Sequence, residues 1–182
     1  ASELLAEAGR LMETPLDQKE RALQLAKLAV PALSDVAMVD MLSPEGQIVR
    51  MAAWSAGSDV ADRFIKLRAE VPIDPRGPHP VAEVLRTGEQ QLLDRLSDQQ
   101  IDEITTKDEE REALVRDRFR SCLLLPLVAG GRVVGCVTLW IMRPANAFDE
   151  IARRTAKRLA DRAALALVNA RLHEQQAHIA SV

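Results

Sequence analysis

The chain is poor in the groups that most often carry chemistry. Its 182 residues include two cysteines, three histidines and no tyrosine, and aromatics make up 3%. Two cysteines, both inside apolar runs, do not make a disulfide framework and fit a reducing cytoplasm. There is no Gly-rich phosphate loop, no Gly-x-Ser-x-Gly and no Cys/His set at metal-ligand spacing. A basic excess is missing too. The net charge of −3 gives no bulk attraction to nucleic acid or to an anionic membrane. No apolar run reaches the roughly 18 to 20 residues of a membrane helix, and no charged-then-apolar signal pattern opens the chain.

What is present is an ordinary balance for a globular domain, 47% apolar and 28% charged residues, with length enough for one core over residues 1–182. Two runs dominate it: Ser121-Cys122-Leu123-Leu124-Leu125-Pro126-Leu127-Val128 and Arg132-Val133-Val134-Gly135-Cys136-Val137-Thr138-Leu139-Trp140-Ile141, joined by Ala129-Gly130-Gly131. The glycine pair supplies the positive φ of a tight reversal, so the runs read as a β-hairpin. Neither run alternates polar with apolar, so both faces are expected to be covered, as in central strands.

Upstream, Leu4, Leu5, Ala8, Leu11 and Met12 share a helical face. A second helix is expected after Thr14-Pro15, with Thr14 as cap, Asp17 in the first turn, and Leu16, Leu23, Ala26, Val30 and Leu33 inward, ended or kinked by Pro31. Residues 36–42 and 47–55 read as a hairpin around Ser43-Pro44-Glu45-Gly46, less apolar than the later one and so nearer a sheet edge. Residues 59–70 read as a helix with Val60, Phe64 and Leu67 inward. Four prolines in residues 71–80 forbid regular structure there. A short helix with Val81, Val84 and Leu85 ends at Thr87-Gly88, and residues 91–94 read as a brief strand. The charged stretch 98–118, anchored by Ile101, Ile104, Leu114, Val115 and Phe119, breaks its period at Asp108 and reads as one or two helices with a mobile middle. Residues 149–179 read as one long helix. Ala156, Leu159, Ala163, Leu167 and Ala170 form a stripe for the sheet. Leu165, Val168, Leu172, Gln175 and Ile179 form a second stripe, a short heptad seam. Hairpins outnumber crossovers, which makes the class α+β. The start at Ala1-Ser2 and an end inside a helical pattern lead us to expect a piece of a longer protein.

The order of elements, with Ser121-Cys122-Leu123-Leu124-Leu125-Pro126-Leu127, Gly131-Arg132-Val133-Val134-Gly135-Cys136-Val137-Thr138-Leu139 and the closing Ala163-Ala164-Leu165-Ala166-Leu167-Val168-Asn169-Ala170-Arg171-Leu172, resembles the GAF domain family, relatives of PAS domains. The stretch Pro78-His79-Pro80-Val81-Ala82-Glu83-Val84-Leu85-Arg86-Thr87-Gly88 resembles bacterial members that precede histidine kinases or metal-dependent serine/threonine phosphatases. The resemblance implies a central antiparallel sheet of the six-stranded type. Terminal helices (1–34 and 149–180) would cover one face, and helices and loops within 36–142 would roof a pocket on the other. It implies ligand sensing or dimer-mediated signalling rather than catalysis, with a homodimer through the terminal helices and an attached output domain, in the manner of a two-component system. It also supplies signatures to check. The cyclic-nucleotide motif begins Asn-Lys, a pair this chain lacks. Bilin attachment uses a loop cysteine, whereas Cys122 and Cys136 lie on expected strands. Sulfoxide-reducing members use three cysteines.

Candidate ligand contacts are Trp54, Phe64, Arg76, His79 and Leu92, each with a plainer reading beside it. Trp54 and Phe64 are aromatic walls or simple core. His79, in the loop with Arg76, is a ligand or haem contact or a solvated loop histidine. Asp40 and Asp94 are strand-end contacts or solvated edges. Cys122 and Cys136, facing one another across the hairpin, are a redox pair or small core side chains. His173 and His178, about 140° apart around a helix, do not converge on a metal, and the acidic run 102–112 reads as a solvated face or lid. The expectation is therefore a cytoplasmic bacterial sensor domain with an unidentified ligand. The alternatives are a ligand-free structural dimer module and a small thiol-dependent enzyme.

Overall fold

The computed structural model describes residues 1–11, 17–57, 59–105, 107–142 and 148–181, without the side chains of residues 10 and 11. Its centre is a five-stranded, wholly antiparallel sheet: β1 (Val36–Leu42), β2 (Ile48–Ser55), β3 (Gln91–Leu93), β4 (Ser121–Ala129) and β5 (Arg132–Ile141). The spatial order is β2-β1-β5-β4-β3. The hairpin β4–β5 is central, and β2 is an edge, as the apolar patterns required. Among the described residues the sheet has five strands, not six. The turn between β4 and β5 is Gly130-Gly131, with φ of 58° and 74°, the left-handed pair of a two-residue hairpin.

Side chains alternate across this sheet and build two cores. Ala37, Val39 and Met41 of β1, Leu123, Leu125 and Leu127 of β4, and Val137, Leu139 and Ile141 of β5 face one way. They meet the helices α1 (Ser2–Leu11), α2 (Gln18–Ala29) and α7 (Glu150–Ser181). Val36 and Met38, Cys122 and Leu124, and Cys136 and Trp140 face the other way. They meet α3 (Val60–Glu70), α4 (Pro80–Thr87), α5 (Asp98–Ile104) and α6 (Asp108–Arg116). A strand with helices on both faces needs no polar side, which is why these runs are almost continuously apolar.

The helix layer follows local rules. Leu5 and Ala8 of α1 are buried, while Met12, Thr14, Pro15 and Leu16 lie outside the described residues. The cap of α2 is Asp17: its carboxylate accepts from Glu20 N–H at 2.7 Å, and Glu20 reaches back to Asp17 N–H at 3.4 Å, a capping box. The helix ends at Ala29, before Pro31. Its inward face is Ala22, Leu25, Ala26 and Leu28, with Leu23 and Leu33 partly buried against the same core. The carboxylate of Asp149 accepts from Ala152 N–H at 2.7 Å and caps α7. The stripe Ala156, Leu159, Ala163, Leu167 and Ala170 is buried against the sheet.

Gly135 sets the depth of the sheet's middle. It pairs with Met41 on one side and Leu127 on the other. A Cβ there would lie 2.5 Å from the Asp40 carbonyl oxygen and 2.6 Å from the Met41 sulfur.

Candidate functional site

The roof over the second face is held by charge as well as by apolar contact. On α3, Val60, Phe64 and Arg68 fall at i, i+4 and i+8 and are all buried. Phe64 begins an aromatic chain: its ring centroid lies 5.0 Å from that of Phe119, which lies 4.9 Å from Trp140, both edge-to-face. Arg68, one turn further on, carries a guanidinium into the same space. On α6 only Glu110 and Leu114 are buried, again one turn apart, so the carboxylate enters the roof beside a leucine anchor.

These groups meet around a small cavity on the sheet, lined by Phe64, His79, Leu114, Leu124, Thr138 and Trp140 together with Arg50, Arg68 and Glu110. Its volume is about 30 Å³, space for a water or two and far below the ~300 Å³ where small-molecule sites begin. Two ion pairs form its charged end. Arg50 of β2 holds Asp40 of β1 through Nε and Nη2, at 3.0 and 2.9 Å, with both side chains buried. Arg68 donates to the Val71 carbonyl at 2.9 Å and to Glu110, and both side chains of this second pair are 4% exposed. A second tie from α3 to α6 joins Arg63 to Asp117 at 2.5 Å.

His79 completes the cluster from the start of α4. Its Nδ1 accepts from Val81 N–H at 3.1 Å, capping the helix, and its Nε2 lies 2.9 Å from Glu110 Oε1. With Nδ1 accepting, Nε2 carries the proton that faces Glu110. Burial pushes the Glu110 carboxyl up, but His79 and then Arg68 outweigh that and hold it at about 2. Burial and the neighbouring Arg50 pull Arg68 down from its ordinary value. Among the described residues, Arg68 Nε and Glu110 Oε2 are buried without a hydrogen-bond partner.

Of the residues singled out in the sequence, Phe64 and His79 line the cavity. Trp54 does not: it stands opposite Ala37 on β1, on the helix-layer face, with Lys27 Nζ 4.7 Å above its ring. Leu92 stands opposite Leu123, also facing away from the cavity, and is 39% exposed. Arg76 is exposed in the proline-rich loop, its N–H bonded to the Asp74 carboxylate. Asp40 is buried against Arg50 rather than at a wet edge, and Asp94 accepts from the Ser121 hydroxyl at 2.9 Å. Cys122 and Cys136 share a face but not a pairing: Cys122 is opposite Trp140 and Cys136 opposite Pro126. Burial pushes both thiols well up, which opposes a nucleophilic thiolate. His173 and His178 are exposed on α7. Among the described residues no group of three His, Cys, Asp or Glu could hold a metal ion, and no helix is long and apolar enough to cross a membrane. On the outward side of α7, Leu165, Leu172 and Ile179 are 58%, 49% and 74% exposed, with Gln175 exposed and Val168 half-buried.

Residue patterns alone missed Arg50, Arg68 and Glu110. The available signal was spacing: Arg68 continues the Val60–Phe64 stripe, and Glu110 precedes Leu114 by one turn.

Comparison with known proteins bears on the architecture. The GAF domain of a phosphoenolpyruvate-protein phosphotransferase from Coxiella burnetii is similar in structure, with a TM-score of 0.73 at 15% identity over 95% of each chain. That of the Acinetobacter phosphoenolpyruvate-protein phosphotransferase gives 0.71 at 14% identity over 93% of each. A GAF domain/HD domain protein from Geobacter sulfurreducens gives 0.66 at 20% identity, over 86% of this chain and 95% of that one. At such identities the likeness is one of fold. No curated protein matches the sequence. A family model described as GAF domain matches residues 16–168. Those residues run from the capped start of α2, through the two-cored antiparallel sheet and its charged roof, into α7, and the chain belongs to the GAF domain family.

Proposed function

We propose that this chain is a regulatory sensor domain of a bacterial cytoplasmic signalling protein, coupling a small molecule held under the roof to an output domain through its terminal helices. The observation that carries this reading is the charged cavity between sheet and roof, on the opposite face of the sheet from α7, whose outward residues Leu165, Leu172 and Ile179 are exposed. A shift of the roof is felt by Cys122, Leu124 and Trp140, and the same strands carry Leu123, Leu125 and Leu139 into the helix layer. Packed cores of this kind pass on small displacements because they rearrange rather than deform continuously. A second copy docked along Leu165, Val168, Leu172, Gln175 and Ile179 would extend the signal to an attached kinase or phosphatase. The similar Geobacter domain, which belongs to a GAF domain/HD domain protein, supports such an arrangement. The buried, raised thiols give no support to a thiol enzyme.

One observation favours a second reading, a ligand-free structural dimer module: the cavity holds little more than a water. Native mass spectrometry of freshly purified protein, against the same sample denatured, separates the two. Extra mass lost on denaturation supports the sensor. A clean dimer that no metabolite stabilises supports the structural module. A clean monomer removes the helical seam from both.

A further inference from the structure

The cavity poses a problem of size and a problem of charge. About 30 Å³ admits no metabolite, so a ligand enters only if a lining group leaves. The sheet side cannot yield: Arg50 Nε and Nη2 bind both oxygens of Asp40, and the two side chains are buried. The roof side can. Helix α6 opens with Asp108, Glu109 and Glu110 and buries Glu110 and Leu114, with Ala113 and Val115 only partly buried against the core. Its pair with Arg68 is incomplete, with Arg68 Nε and Glu110 Oε2 buried and unpartnered among the described residues. A buried pair with spare polar atoms sits above the best arrangement available to its members.

Removing Glu110 alone would strand a buried guanidinium. Arg68 makes an ion pair only with Glu110 among the described residues, and Arg50 nearby adds to its positive surroundings. Whatever replaces Glu110 must therefore bring one negative charge. A planar carboxylate does this best, since its two oxygens match the fork formed by Nε and a terminal nitrogen of arginine. His79 Nε2–H, freed from Glu110, would serve the same oxygens. Beyond the charged end the walls are Phe64, Leu114, Leu124 and Trp140.

Resting on the sensor reading above, we infer that Glu110 is an internal stand-in for the ligand, and that the ligand is a small carboxylate with an apolar body which takes Arg68 and His79 from Glu110 and so releases α6 from the roof. The released helix stays tethered at its other end by Asp117 and Arg63, which makes the movement a local opening rather than a loss of the domain.

Sodium propionate is the probe, titrated against the whole chain with sodium chloride and sodium phosphate at equal ionic strength as controls. In wild type, propionate raises Tm while hydrogen exchange in residues 108–116 becomes faster. In Glu110→Gln, where the competitor has lost its charge, the apparent Kd for propionate falls at least tenfold. In Arg68→Met the response is gone. A Glu110→Gln protein that gains no more from propionate than from chloride or phosphate overturns the inference, and so does binding without faster exchange at 108–116. Should Glu110→Gln fail to fold, Glu110→Asp, which withdraws the carboxylate by one methylene, is read the same way, and a missing propionate-specific shift there is equally decisive. A neutral compound found by native mass spectrometry in a chain silent to propionate overturns the carboxylate and leaves the sensor reading standing.

Discussion

Gly135 lies between β1 and β4 with no room for a side chain, since a methyl group there would come within 2.6 Å of both the Asp40 carbonyl oxygen and the Met41 sulfur. Gly135→Ala therefore forces the strands apart beside Asp40 and Met41, and overpacking of this sort costs about 1–3 kcal/mol. Urea unfolding is expected to show that loss with the fold retained. Glu110 gives a pH signature. Its carboxyl sits at about 2 in the fold against an ordinary 4.5, so its contribution, on the order of 3 kcal/mol, is complete above about pH 5 and is lost as pH falls through 4.5 toward 2. The stability gap between wild type and Glu110→Gln should close as pH falls from about 5 toward 2. A gap that does not change with pH means Glu110 is not held as an ion. His79 is bound by two opposite demands, since Nδ1 must accept to cap α4 while Nε2 must donate to Glu110. These residues were hard to read in the sequence because charge is ordinarily evidence of a wet surface. Arg68 and Glu110 are buried only because each supplies the other's counter-ion from an element 42 positions away, and no local pattern records a partner at that distance.

At the level of elements, the strands were legible and the sidedness was not. Continuous apolar runs at β4 and β5, and the glycine pair between them, left little choice of structure. The charged stretch 98–118, expected as one or two helices, is two, and Asp108 opens the second. Trp54 and Leu92 failed as cavity residues for a single reason: neighbours along a strand point to opposite faces, so a site assignment needs the register as well as the strand. Trp54 takes its face from Ala37 and Leu92 from Leu123, and neither pairing is written near them in the chain. Thr14 was the expected cap of α2, yet Asp17 has the better credentials, an oxygen for Glu20 N–H and a glutamate at the third helical position to answer it. Asp17→Ala removes the side-chain half of the box, the bond from Glu20 N–H, and is expected to cost about 1 kcal/mol, lowering Tm without changing the circular dichroism of the folded state. Asp17→Ser should recover most of the loss.

For the molecule as a whole, one sheet serves two cores, and the outward side of α7 remains apolar after both are filled. If a second copy lies there, Leu172→Asp places a charge in the middle of the seam and should weaken the dimer by at least about tenfold, near 1.4 kcal/mol. Sedimentation at micromolar concentration reads this directly, and an unchanged mass removes the seam. The order of the strands carries a further consequence, for how the chain is made. Strand β1 is paired on one side by β2, its immediate successor, but on the other by β5, and Val36 meets Trp140, a partner 104 positions later. On the ribosome the first hairpin therefore emerges with one long side unpaired, and Val36, Ala37, Met38, Val39 and Met41 on that strand are all destined for burial. Through the synthesis of the entire roof, that edge is an open template for any passing strand. The domain's most exposed moment comes before it is complete, and a nascent chain halted ahead of residue 132 is the form most in need of a chaperone.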